Sequence, residues 1–148
     1  SQAEVLMELE YSGFIPDSYV HSIQTKMEIY KKIAGIQTKD ELDRMYNELE
    51  DRFGPIPDEV FSLLSLAEVK IIARRLGIIT LKEKKGEIFV EFGNTNSLNI
   101  NKLMDLIRQN SDKIRLDSQK PNQIILSAGK IGLKEKSEFI REKLEKLV

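Results

Sequence analysis

After a short extended lead-in, the hydrophobic period of this chain is helical as far as Gly77 and then changes to two, and that change limits the folds open to it. Upstream, apolar residues recur at helical spacing; from Ile78 they recur at every second position. Ile79 and Leu81, then Ile88, Val90 and Phe92, bracket Lys84-Lys85-Gly86, which is the pattern of a β-hairpin. Ile114 and Leu116, then Ile124 and Leu126, predict a second hairpin turning at residues 119–122. Between them Gly93, Asn94, Thr95, Asn96 and Ser97 read as a loop. Asn99 then caps a helix carrying Ile100, Leu103, Met104 and Ile107. A closing helix from about Leu133 bears Ile140, Leu144 and Leu147 on one stripe.

Before the change, Val5, Met7, Leu9 and Tyr11 alternate with Glu4, Glu8 and Glu10, giving an extended lead-in strand within residues 1–14. A first helix is predicted from Pro16 or Ser22 to Ala34, with Ile23, Met27, Tyr30, Ile33 and Ala34 facing inward and Gly35 ending it. Thr38 and Glu41 form a capping box that opens a second helix. Pro57 suits the first turn of a third, with Asp58 and Glu59 near its positive end and a stop at Gly77. The expected fold class is α+β: an N-terminal helical bundle over 15–77 packed with a small antiparallel sheet of two hairpins and a C-terminal helix. The β-β-α-β-β-α order fills 78–148, and residues 1–148 read as one domain.

The residue inventory removes several chemistries. No cysteine is present, so disulfides and thiol catalysis are excluded, and the one histidine, His21, cannot build a Cys/His zinc site. Neither G-x-x-x-x-G-K-[ST] nor G-x-G-x-x-G occurs. The acid pairs Asp40/Glu41 and Asp58/Glu59 fit helix-start charges better than catalysis. No cofactor, metal or small-molecule substrate is expected. No apolar run nears the roughly 20 residues of a membrane span, and no leader-like segment opens the chain; a cytoplasmic location is the expectation.

The net charge of −1 is unevenly spread, with 14 acids and 9 bases in 1–77 against 10 and 14 in 78–148. Lys82, Lys84 and Lys85 make the densest basic cluster; they read as a solvated hairpin tip that discourages edge pairing. Lys134, Lys136, Lys143 and Lys146, interspersed with glutamates, read as the wet face of the last helix.

One constellation stands apart. In residues 48–57, E-L-E-D-R-F-G-P-I-P, Glu48, Asp51 and Arg52 sit at i, i+3 and i+4, with Leu49 and Phe53 on the apolar side. Gly54 allows a left-handed ending and Pro55 forbids continuation. On the residues alone, a local Arg52–Glu48 salt bridge is the simpler account, with Asp51 a loop cap. Together with I-P-D-S-Y at 15–19, M-E-I-Y-K-K-I-A at 27–34 and the L-G-I at 76–78, however, this segment resembles the C-terminal (TRCF) domain of the bacterial transcription-repair coupling factors, the Mfd family. The specific motifs lie in the first half of the chain.

That resemblance implies a regulatory protein-interaction domain and no enzymatic activity for these residues. Family members are ATP-dependent DNA translocases that displace stalled RNA polymerase and recruit nucleotide excision repair. The C-terminal module resembles a clamp on the UvrB-like N-terminal module of the same parent protein, masking the surface that docks UvrA. RNA polymerase, UvrA and duplex DNA are contacts of the parent. Carried over residue by residue, Glu48, Asp51 and Arg52 would be the protein-interaction residues. The alternative is an accessory nucleic-acid-binding module using the basic second half.

Overall fold

The structure, a computed structural model, describes residues 4–10, 12–93, 95 and 98–148. Residues 1–3, Tyr11 of the expected alternation, and Asn94, Asn96 and Ser97 of the expected loop lie outside the described residues. The elements run β1 (Leu6–Glu8), α1 (Ile23–Ala34), α2 (Lys39–Phe53), α3 (Asp58–Arg75), β2 (Ile78–Lys84), β3 (Glu87–Phe92), α4 (Ile100–Gln109), β4 (Ile114–Leu116), β5 (Gln123–Ser127) and α5 (Leu133–Glu145). This is an α+β fold, and its switch from helix to strand falls at Gly77, as the period predicts.

The strand order is β1-β2-β3-β5-β4. Both hairpins form, β2 with β3 and β4 with β5, and β3 pairs with β5 to join them. The lead-in strand refines the expectation. It lies parallel to β2, Leu6 opposite Thr80 and Glu8 opposite Lys82, so the sheet is mixed and not purely antiparallel. Its alternation supplies the reason: Val5 is buried in the sheet core with Met7 and Leu9 against it, while Leu6 faces out. The β2–β3 turn is tight, with Lys85 at φ 50° and Gly86 at φ 78°, the two left-handed positions that a primed hairpin turn demands.

Two apolar clusters share α3. Val60, Leu64 and Ala67 join Ile29, Ile33, Ile36, Leu42, Met45 and Leu49 of the helical region. Val69, Ile72, Ala73 and Leu76 join the inward residues of the sheet, of α4 and of α5. A helix buried on several sides needs apolar residues around most of its circumference, which is what residues 60–73 supply.

Two expectations are corrected. On α1 the residues turned inward are Ile29 and Ile33, whereas Ile23 is 75% and Met27 67% exposed. Tyr30 and Ala34 stay partly open to solvent along the crevice beside α3 and the β1 region, where the Tyr30 hydroxyl accepts the Ile15 N–H at 2.7 Å. The helix carries two apolar stripes; the one continuing into buried Ile36 takes the core, and the first turns stand clear of the bundle. On α5, Lys136 and Lys143 are not on a wet face. Lys136 Nζ lies 2.9 Å from Glu83 Oε1, and Lys143 Nζ donates to Asn110 Oδ1 at 3.1 Å. The apolar stripe of α5 packs down onto the sheet core, so the lysines flanking that stripe are drawn in towards β2 and the end of α4.

Candidate functional site

The α2 segment begins where the capping box predicts. The Thr38 hydroxyl accepts from the Glu41 N–H at 3.1 Å, and Asp40 and Glu41 occupy the positive end of the helix. Leu42, Met45 and Leu49 are buried, which fixes the rotation of the helix about its axis. Its end is equally determined. Gly54 has φ +88°, a conformation costly for any residue with a Cβ, and its N–H donates to Glu50 O at 3.0 Å. Tyr19, from the segment before α1, brings its hydroxyl to 2.9 Å from Gly54 O and 3.1 Å from Leu49 O, while its ring tilts against Phe53 at 5.7 Å. Burial, followed by the nearby Glu50 carboxylate, pushes the Tyr19 phenol up, so it stays a neutral donor to those carbonyls at ordinary pH.

On this rigid end the three predicted residues divide. Arg52 Nη1 donates to Glu48 Oε2 at 2.8 Å, the i,i+4 bridge that the spacing allows. Lys32 of α1 brings Nζ to 3.1 Å from both Glu48 oxygens. The Lys32 hydrogen bond, with a smaller contribution from Arg52, holds the Glu48 carboxyl below the usual range against the opposing effect of partial burial. Asp51 is exposed, and its carboxylate has no hydrogen bond or ion pair with any other described residue. Side-chain exposure is 31% for Glu48, 45% for Arg52 and 55% for Lys32, so the carboxylate lies beneath two more accessible cations. The Arg52 guanidinium also lies 4.8 Å from the Phe53 ring centroid, which limits its freedom to swing away.

Lys32 is the member that sequence reasoning missed. Its only signal is position, in the last turn of a helix whose next neighbour is α2, and nothing in the spacing says which side of α2 that turn meets. A hollow of about 420 Å³ flanks the same helix end, lined by Tyr46, Glu50, Gly54, Pro55, Ile56 and Phe61. A larger one of about 480 Å³ lies between the β1 region and helices α1 and α3.

The remaining candidates fall elsewhere. His21 is exposed just before α1, and Asp58 and Glu59 stand in the first turn of α3. Lys82, Lys84 and Lys85 are exposed around the β2–β3 turn, with no aromatic side chain interleaved in that run. Among the described residues no group of three or more His, Cys, Asp or Glu side chains is placed to hold a metal, and no helix is long and apolar enough to cross a membrane.

Comparison with known proteins gives a consistent picture. The family model of the TRCF domain matches residues 9–103. A transcription-repair-coupling factor of Borreliella burgdorferi is 38% identical over 146 residues, covering 99% of this chain and 13% of the relative. One from Escherichia coli K12 is 33% identical over 143 residues, covering 95% and 12%. The chain thus spans about an eighth of the length of these curated relatives. A crystal structure of the C-terminal domain of a transcription-repair coupling factor superposes with a TM-score of 0.83 at 23% identity, over 99% of this chain and 92% of the other.

Proposed function

This chain belongs to the TRCF domain family, and from that premise we propose that it is a regulatory protein-interaction domain that clamps the UvrB-like module of a longer parent protein. In this reading the clamp covers the surface on which UvrA docks and uncovers it when the parent acts. On the same reading the parent is an ATP-dependent DNA translocase of the cytoplasm that displaces stalled RNA polymerase and couples it to excision repair; the relatives are themselves transcription-repair-coupling factors. Those activities, and contacts with polymerase, UvrA and duplex DNA, belong to the parent and not to these residues.

The observation that carries the reading is the end of α2. A helix fixed by three buried apolar residues, a positive-φ glycine and a tyrosine hydroxyl presents the Asp51 carboxylate unpaired beside the Glu48–Arg52 bridge. Ordered ionic groups of this kind suit recognition of a charged protein surface, because their geometry is set before the partner arrives. Arg52 offers a two-pronged donor for a carboxylate or carbonyl, and Asp51 and Glu48 offer acceptors for arginines opposite.

Titrating the chain with the separately expressed UvrB-like module tests it. Arg52→Ala leaves the thermal midpoint within about 2 °C and weakens binding; unchanged affinity refutes the assignment. The nucleic-acid alternative has less support, because Lys134, Lys136 and Lys143 are each engaged with Asp58, Glu83 or Asn110. A steep loss of DNA affinity with rising salt would favour it instead.

A further inference from the structure

We propose that Lys32 is a contact residue of the same surface, and that with Arg52 it forms a two-cation seat for a carboxylate supplied by the partner. This rests on the clamp reading above and adds to it the chemistry of one partner side chain. Lys32 Nζ and Arg52 Nη1 both bond to Glu48 Oε2, at 3.1 and 2.8 Å, so the two cationic nitrogens lie no more than about 6 Å apart. One half-covered carboxylate therefore faces two cations, leaving an excess positive charge on the side that faces solvent. Both cations are more exposed than the anion between them.

A carboxylate that accepts from one cation on each side, at about 2.8 Å each, can bridge such a gap and complete an alternating ring of charge, with Glu48 on the inner side and the incoming group on the outer. The two cations come from different helices. Lys32 is held by α1, whose Ile29 and Ile33 are buried, and Arg52 by α2, whose Leu49 is buried. The spacing of the seat is consequently set by the packing of two helices, not by side-chain chance. Asp51 has no cation of its own, so the partner side chain opposite it carries the reverse sign. The preferred partner surface is a neighbouring acid and base, not a uniformly acidic or basic patch.

Calorimetric titration of the UvrB-like module with Lys32→Gln, Lys32→Arg, Asp51→Asn and Arg52→Ala separates the cases. The expected result is that Lys32→Gln weakens binding about fivefold and lowers its salt dependence, while Lys32→Arg stays within about twofold of the parent sequence. Thermal midpoints of all four variants exclude a loss of folding as the cause. If Asp51→Asn and Arg52→Ala weaken binding but Lys32→Gln leaves it unchanged or tighter, Lys32 is only the counter-ion of Glu48; the two-cation seat is then wrong and the clamp reading survives. If none of the four changes affinity, both fall together.

Discussion

Lysine and glutamate meet at two places in this molecule and do opposite work there. Under α5, Lys136 and Glu83 pair at 2.9 Å with side chains only 11% and 3% exposed, and Glu83 Oε1 also accepts the Glu10 N–H at 3.0 Å. At the end of α2, Lys32 and Glu48 pair at 3.1 Å with both side chains reachable by water. The first node ties three segments of the sheet region together: Glu10 two residues past β1, strand β2 and helix α5. The second ties two helices loosely and leaves its charges available. Bond lengths are similar; access to solvent separates a fastening from a contact surface, because water screens the exposed pair and offers each ion a substitute for its partner.

The largest expected effect tests the fastening. Lys136→Met leaves the Glu83 carboxylate buried without its cation, and we expect a loss of about 3 kcal/mol in urea unfolding. The double variant Glu83→Gln/Lys136→Met recovers more than half of that, because a neutral amide oxygen still accepts the Glu10 N–H. A single-variant loss below about 1 kcal/mol would break the comparison, since the pair would then behave like a surface bridge. An intermediate effect probes what makes the α2 end rigid. Tyr19→Phe removes the hydroxyl shared by Leu49 O and Gly54 O while keeping the ring against Phe53, and should cost about 1 kcal/mol. Amide exchange at the last turn of α2 should quicken more than at its centre.

The comparison also explains what could be read from the sequence. Elements declared by local chemistry were legible: the Thr38 capping box, the Gly54-Pro55 ending, a hairpin turn within Lys84-Lys85-Gly86 and the period change at Gly77. Asp51 was legible as a surface acid, and the Arg52–Glu48 bridge follows from helical spacing alone. What escaped depends on how elements meet. The apolar pattern of α1 offers two stripes, and only packing against α2 and α3 selects Ile29 and Ile33 over Ile23 and Met27. Lys136 is indistinguishable in sequence from Lys134 or Lys146, yet β2 places a buried glutamate opposite it. Lys32 joins Glu48 across 16 positions, beyond any local rule. The parallel pairing of β1 with β2 spans some seventy residues and has no turn signal to announce it.

The smallest effect is the most discriminating. Lys32 first, then Arg52, lower the folded-state pKa of Glu48, while the unfolded chain keeps a value of about 4.3. A carboxyl whose folded pKa is depressed contributes stability that is present above the unfolded value and is lost as pH falls through the folded one. Glu48→Gln should therefore cost a few tenths of a kcal/mol at pH 7, the gap closing as the pH drops below 4 and vanishing once Glu48 is protonated in both states. In 1 M salt, where the screening length is about 3 Å, the gap at pH 7 should shrink towards zero. The Lys136→Met deficit should persist in that salt, because ions do not enter a buried pair. If the two deficits fade together, solvent access is not what distinguishes the sites. The Glu48 cluster would then be bound as firmly as the node under α5 and could not yield its charges to a partner.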